Sequence, residues 1–173
     1  RRSSDLIEYC KNNQINILTF YDEVYPQLLK ECIDAPLVIF CKGNLEFNQF
    51  NNKKISIVGT RKMTNYGKNF ITELIEGIAE FDTTIVSGLA YGCDIEAHSQ
   101  SLKNKVQTWS VMGTNFERIY PASHKKVAVE MLQKGGIFKA FALSGRHFVF
   151  VLKPRAMPWA RSFRSEERRV GKE

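Results

Sequence analysis

Two short runs of β-branched residues, each ended by a glycine, constrain the fold of this chain more than any other feature. The runs are Ile55 to Val58 and Thr84 to Val86, and each leads through a glycine-containing loop into a segment of helical pattern. Strand, glycine turn and helix in alternation are typical of βαβ units in a parallel sheet. The sequence therefore predicts an α/β domain with a mainly parallel sheet and flanking helices.

The alternation is regular only from residue 53 onward. There the sequence predicts four strands (54–58, 83–86, 106–112 and 137–141) separated by three helices (65–81, 94–102 and 123–134). In the first helix, five apolar residues recur at spacings of three and four, which predicts one shared buried face; they are Phe70, Leu74, Ile75, Ile78 and Phe81. Residues 1–50 hold two short predicted helices (5–11 and 25–32) and two strands (15–20 and 35–43). We interpret them as a small N-terminal appendage that packs on the main sheet.

The loops after the first two strands of this region form the candidate site. Ligands of open α/β sheets bind outside the carboxyl ends of the strands, so we expect Gly59 to Gly67 and Ser87 to Asp94 to line one crevice. In the first loop the backbone of Gly59 and Thr60 and the side chains of Arg61 and Lys62 suit an anion such as phosphate. Gly67 follows them, and Thr64 is placed to cap the next helix. The alternative is a tight turn with a solvated Arg61.

The second loop adds small residues, a hydroxyl and an aromatic ring. Ser87, Gly88 and Gly92 give it a compact backbone, and Tyr91 can stack on a nucleobase. Asp94 and His98 are four residues apart on the next helix, as an acid–base or metal pair would be, but a helix-capping Asp94 with a hydrogen-bonded His98 is the favoured interpretation. His124, at the start of a later helix, is predicted to lie on the surface.

No catalytic, metal-binding or cofactor-binding pattern stands out. The four cysteines include no CxxC pair and no histidine at metal-ligand spacing. Four free thiols fit a reducing compartment, and no apolar run approaches the ~18 residues of a membrane span, so we expect a cytoplasmic protein without membrane contact. The net charge is +7, but residues 1–138 hold 16 basic and 15 acidic residues, whereas residues 139–173 hold 9 and 3. The basic excess therefore lies almost entirely in the tail.

With these motifs the sequence resembles the bacterial DNA-processing protein A family, DprA or Smf. The resemblance is carried, in order, by Tyr25 to Leu29, Ala35 to Val38, Lys42-Gly43, Ile57 to Arg61, Tyr66-Gly67, Ser87 to Asp94, Ala97-His98, Gly113 and Ile119 to Pro121. It implies a Rossmann-like domain that binds single-stranded DNA and, in the full-length protein, forms a homodimer. It also implies delivery of the DNA to a RecA-type recombinase in natural transformation, with no established catalytic activity and no cofactor. By position, the phosphate-contacting arginine of the family corresponds to Arg61.

The resemblance stops after Gly136, where a glutamate-containing strand and an Arg-rich loop of the family are expected. We therefore expect a truncation or frameshift after about residue 137, which leaves the sheet incomplete at its C-terminal end. The predicted division is an appendage over 1–50, a partial Rossmann-like DNA-binding domain over 51–141 and an aberrant basic tail over 142–173. Two alternatives stay open: a Rossmann-like nucleotide-processing enzyme of the nucleoside-monophosphate phosphoribohydrolase type, whose Pro-Gly-Gly-x-Gly-Thr loop is absent, and a non-functional fragment.

Overall fold

Helices and strands alternate along most of the chain in a computed structural model that describes residues 3–32, 35–45, 52–113 and 116–141. The predicted tail, residues 142–173, lies outside the described residues. In chain order the elements are α1 (Ser3–Asn12), β1 (Asn16–Thr19), α2 (Gln27–Lys30), β2 (Val38–Gly43), β3 (Lys53–Ser56), α3 (Asn65–Ile78), β4 (Thr83–Ser87), α4 (Cys93–Lys103), β5 (Gln107–Val111), a 3-10 turn (Ala122–His124), α5 (Lys125–Lys134) and β6 (Gly136–Phe141).

The strands of the described residues form one six-stranded mixed sheet in the order β1-β2-β6-β5-β4-β3. Strands β3, β4, β5 and β6 are parallel neighbours, and α3, α4 and α5 connect them in turn. This confirms the α/β class and the mainly parallel sheet. Because the four strands run in one direction, the loops after β3 and β4 leave the sheet at the same edge.

Strands β1 and β2 continue this sheet instead of packing on its face. β2 pairs antiparallel with β6, from Val38 opposite Phe141 to Gly43 opposite Gly136, and β1 pairs antiparallel with β2. Backbone pairing with β6 therefore joins residues 16–43 to the parallel half. Whether residues 1–50 form a unit of their own stays a prediction.

The core consists of separate clusters against the sheet. Ile75 of α3 and Ile85 of β4 are fully buried in the cluster between that helix and the sheet. In another cluster Tyr25 and Leu29 are buried with strand residues, among them Trp109 and Phe138, whose rings pack at a centroid distance of 4.8 Å. No helix among the described residues is both long and apolar enough to cross a membrane.

Helix α3 differs from its prediction in length and in its buried face. It ends at Ile78, not at Phe81. Its buried residues are Ile71 and Ile75, whereas Phe70 is 47% and Phe81 is 64% exposed. The prediction that these two phenylalanines are buried is wrong, because the stripe that faces the sheet is centred on Ile71 and Ile75, and Phe70 lies about 100° around the helix from Ile71.

Candidate nucleic-acid interface

The structure brings the two glycine-containing loops together at the carboxyl edge of the sheet. The backbone N–H of Cys93 donates to the carbonyl of Thr60 at 3.2 Å, and the Ser87 hydroxyl donates to the carbonyl of Ile57 at 2.6 Å. Ser87 is only 4% exposed. Its hydroxyl is therefore engaged in joining the two loops.

Two glycines allow this close approach. Gly92 has φ of +79°, and a Cβ added to it would lie 2.8 Å from the Cα of Arg61. A Cβ added to Gly59 would lie 2.5 Å from the Sγ of Cys93. Gly92 thus requires glycine both for space and for its backbone conformation, whereas a side chain at position 59 would have to displace the Cys93 thiol. Burial raises the pKa of the Cys93 thiol between them, so the thiol stays protonated at neutral pH.

The first loop presents its cationic residues to solvent. Thr60, Arg61 and Lys62 are exposed, and the hydroxyl of Thr60 accepts from the backbone N–H of Lys62 at 3.1 Å. The predicted cap of α3 is confirmed, since the hydroxyl of Thr64 accepts from the N–H of Gly67 at 3.2 Å. Gly67 therefore lies in the first turn of α3, beside the side chain of Met63.

The electrostatics at this point favour an anion. The first turn of α3, which the structure describes in full, carries no acidic residue. The partial positive charge at the helix N-terminus is thus not neutralised locally, and the exposed Arg61 lies four residues before the first residue of α3. The segment 61–65 therefore offers an anion two sources of positive charge, a guanidinium and a helix N-terminus.

The second loop presents an aromatic ring beside this cationic surface. Tyr91 is 49% exposed. The backbone behind it is held by Asp94, whose carboxylate accepts from the N–H of Ala90 at 3.3 Å. A Cβ added to Gly88 would lie 2.7 Å from the same carboxylate. Gly88 thus lets the backbone pass close to Asp94.

Asp94 and His98 do not form the pair that their spacing suggested. The prediction that Asp94 caps the helix is wrong, because the N-cap of α4 is Gly92 and Asp94 is the second residue of the helix. His98 is fully buried, and its Nδ1 lies 2.7 Å from the hydroxyl of Thr108. Burial, together with the nearby His124, lowers the pKa of His98 to about 3. His98 is therefore a neutral core residue at physiological pH.

The prediction that His124 lies on the surface is wrong. Its side chain is 7% exposed, its Nδ1 lies 2.8 Å from the carbonyl oxygen of Leu89, and its ring meets that of Tyr91 edge-on at a centroid distance of 4.9 Å. The sequence carried no signal for these contacts, because Leu89 lies 35 residues away in the chain. A third segment, Ala122–His124, thus supports the second loop.

The described residues contain no candidate metal site. Nowhere in residues 3–32, 35–45, 52–113 or 116–141 do three or more His, Cys, Asp or Glu side chains approach closely enough to hold a metal ion. Exposed cations, a helix N-terminus and a half-exposed tyrosine are what the crevice offers a ligand.

Comparison with known proteins places this arrangement in a family. Over 106 residues the chain is 39% identical to the DNA processing protein DprA of Streptococcus pneumoniae, a match that covers 61% of this chain and 36% of that protein. The X-ray structure of the same S. pneumoniae protein superposes with a TM-score of 0.70 at 27% identity, covering 84% of this chain and 50% of that chain.

A second solved structure describes the single-stranded DNA binding mode of DNA processing protein A from Helicobacter pylori. It superposes with a TM-score of 0.61 at 27% identity and covers 78% of this chain and 59% of that chain. The two matches to the S. pneumoniae protein cover 36% and 50% of its length, so this chain spans half of that protein or less. The family model for DNA recombination-mediator protein A matches residues 16–148, past the point near residue 137 where the sequence resemblance was expected to end. The chain therefore belongs to the DNA recombination-mediator protein A family.

Proposed function

We propose that this chain binds single-stranded DNA in the crevice between residues 59–67 and 87–94. The observation that carries the proposal is the placement of the exposed Arg61 where the two loops meet, with its backbone against Gly92, the neighbour in sequence of the half-exposed Tyr91. Single-stranded DNA offers both a phosphate for the cationic side and an unpaired base for the aromatic ring. The single-stranded DNA binding of the H. pylori relative supports the proposal.

Each predicted site residue has a role in this proposal. Arg61 contacts a phosphate, Lys62 adds positive charge, and Gly59 and Thr60 offer the backbone approach. Tyr91 stacks on a base. The remaining residues shape the loops, and they are Gly67, Ser87, Gly88 and Gly92. Affinity then comes from phosphate contacts and stacking, with little reading of base identity.

We infer further that the full-length protein acts as a homodimer that delivers the strand to a RecA-type recombinase in natural transformation. Membership of a family of recombination mediators supports this role. We therefore place the protein in the cytoplasm. A mediator binds and transfers DNA without chemical conversion, so we assign the crevice no catalytic residue and no cofactor. The division into 1–50, 51–141 and 142–173 belongs to the same proposal.

The decisive experiment compares Arg61→Ala with Lys103→Ala. Both substitutions remove one exposed positive charge, but Lys103 lies in the last turn of α4, at the end of the helix away from the crevice. We expect Arg61→Ala to weaken binding of a thymidine oligonucleotide by about tenfold. We also expect the slope of log affinity against log salt to become shallower by about 0.7, the value for one phosphate contact on a single strand.

Fluorescence anisotropy titrations at several salt concentrations measure both quantities. Lys103→Ala should leave affinity and slope close to those of the unmodified protein. Equal effects of the two substitutions, or none of Arg61→Ala, would show that the crevice is not the DNA site.

A further inference from the structure

We propose that His124 is a positioning residue of the DNA crevice, which fixes the backbone of the second loop and holds Tyr91 ready to stack on a base. The proposal rests on the single-stranded DNA binding proposed above and assigns a role to a residue outside both glycine-containing loops. Two contacts of one imidazole carry it. One is to the carbonyl of Leu89 and the other is to the ring of Tyr91.

The first contact holds an uncommon backbone conformation. Leu89 has φ of +66°, which non-glycine residues rarely adopt because of the clash of Cβ with the backbone. The Leu89 side chain is fully buried, and its carbonyl accepts from Nδ1 of His124 at 2.8 Å. Since a carbonyl oxygen can only accept, the imidazole carries a proton on Nδ1. Burial and this hydrogen bond together keep Leu89 in place, and Tyr91 follows two residues later.

The second contact limits the motion of the tyrosine ring. The rings of Tyr91 and His124 are inclined by 75° at a centroid distance of 4.9 Å, and the hydroxyl of Ser123 donates to the phenol oxygen of Tyr91 at 3.5 Å. About half of the Tyr91 surface stays exposed. A ring that is already held on one side loses less conformational freedom when a base stacks on its exposed side, so the DNA binds more tightly.

His124 could instead serve only the stability of the fold, and a pair of substitutions of similar size separates the two roles. In His124→Asn the side-chain amide nitrogen lies near the former position of Nδ1 and can still donate to Leu89. In His124→Leu the volume is similar but the donor is lost. If the hydrogen bond to Leu89 contributes to positioning, the Asn variant keeps more of the DNA affinity than the Leu variant.

The experiment measures the affinity of each variant for a thymidine oligonucleotide and for an abasic oligonucleotide of the same length. We expect His124→Leu to weaken binding of the thymidine strand by about fivefold or more, as loss of a stacked base would, and to leave abasic binding unchanged. His124→Asn should bind more tightly than His124→Leu but less tightly than the unmodified protein, since it keeps the donor to Leu89 and loses the ring contact with Tyr91. The double variant Tyr91→Ala with His124→Leu should bind no more weakly than Tyr91→Ala alone, because both changes remove the same contact.

Melting curves establish that each variant is folded. Should His124→Leu not fold, His124→Gln takes its place, since its longer side chain carries the amide past the Leu89 carbonyl. Equal weakening on both oligonucleotides, additivity with Tyr91→Ala, or equal affinity of the Asn and Leu variants would overturn the role of His124. If Arg61→Ala weakens binding to both strands, the DNA function stands whatever His124 shows, whereas a lack of binding by the unmodified protein overturns both proposals.

Discussion

Gly92 allows the two crevice loops to meet because it has no side chain. Its backbone conformation lies in the left-handed region at φ +79°, and the backbone of Thr60 and Arg61 occupies the space that a Cβ would need. Any other residue would have to push the first loop away from the second. The position of Arg61 relative to Tyr91 therefore depends on this glycine.

We expect Gly92→Ala to lower the free energy of unfolding by about 2 kcal/mol, from the strained φ and the backbone clash combined. DNA affinity should fall as well, since the loops must separate. Gly77→Ala is the matched control: Gly77 lies in α3, and an added Cβ there meets nothing within 4 Å, so the substitution should stabilise the protein by about 0.5–1 kcal/mol through helix propensity. Urea unfolding measures both, and a loss of stability in both variants would contradict this account of Gly92.

Local signals in the sequence predicted part of the site and missed the rest for a physical reason. Thr64 as the cap of α3 and the two loops at one sheet edge depend on neighbouring residues and on strand direction, so the sequence was sufficient. His124 was missed because its partners, Leu89 and Tyr91, are distant in sequence and reach it only through tertiary packing. Ser87 was expected to line the crevice, but its hydroxyl is used between the loops, which depends on the separation of β3 and β4.

Among the elements, α3 shows that contact with the sheet determines which apolar residues of a helix are buried. Its apolar residues cover about half of the circumference, which is wider than one buried stripe, so periodicity alone did not fix which of them face the sheet. The sheet selects the stripe through Ile71 and Ile75. Phe70 is left half-exposed and Phe81 lies beyond the helix end.

The two faces of α3 should respond differently to truncation. We expect Ile75→Ala to cost about 3 kcal/mol of unfolding free energy, because the side chain is fully buried between the helix and the sheet. Phe70→Ala should cost less than about 1 kcal/mol, since a surface side chain loses few contacts. Chemical denaturation of the two variants gives the comparison, and a Phe70→Ala cost as large as that of Ile75→Ala would show that Phe70 is covered in solution.

The two halves of the sheet differ in how far local sequence predicts them. Two β-branched runs ended by glycine were enough to predict the parallel strands β3 and β4. The place of β1 and β2 was not predictable, because it depends on pairing with β6, as in Cys41 opposite Phe138. Nearly a hundred residues lie between those partners, and no local pattern encodes such a register.

At the scale of the whole molecule, charge and candidate site are separated along the chain. Residues 1–138 are close to neutral, with 16 basic and 15 acidic residues, whereas residues 139–173 carry 9 and 3. Net charge attracts any polyanion, whereas we expect the proposed crevice, with one arginine and one tyrosine, to favour single strands. The two contributions to the proposed DNA binding should therefore respond to different substitutions.

Neutralising positive charges in the tail should weaken the attraction of all polyanions to a similar extent. We expect the triple variant Arg164→Gln, Arg168→Gln and Arg169→Gln to weaken binding of single-stranded DNA, duplex DNA and heparin by similar factors, because lost counterion release affects every polyanion alike. Arg61→Ala should instead weaken single-stranded DNA most and heparin least. Titrations of the three ligands at one salt concentration give both ratios. A tail variant that loses single-strand binding selectively, with Arg61→Ala showing no preference, would place the specific site in the tail and not at the edge of the sheet.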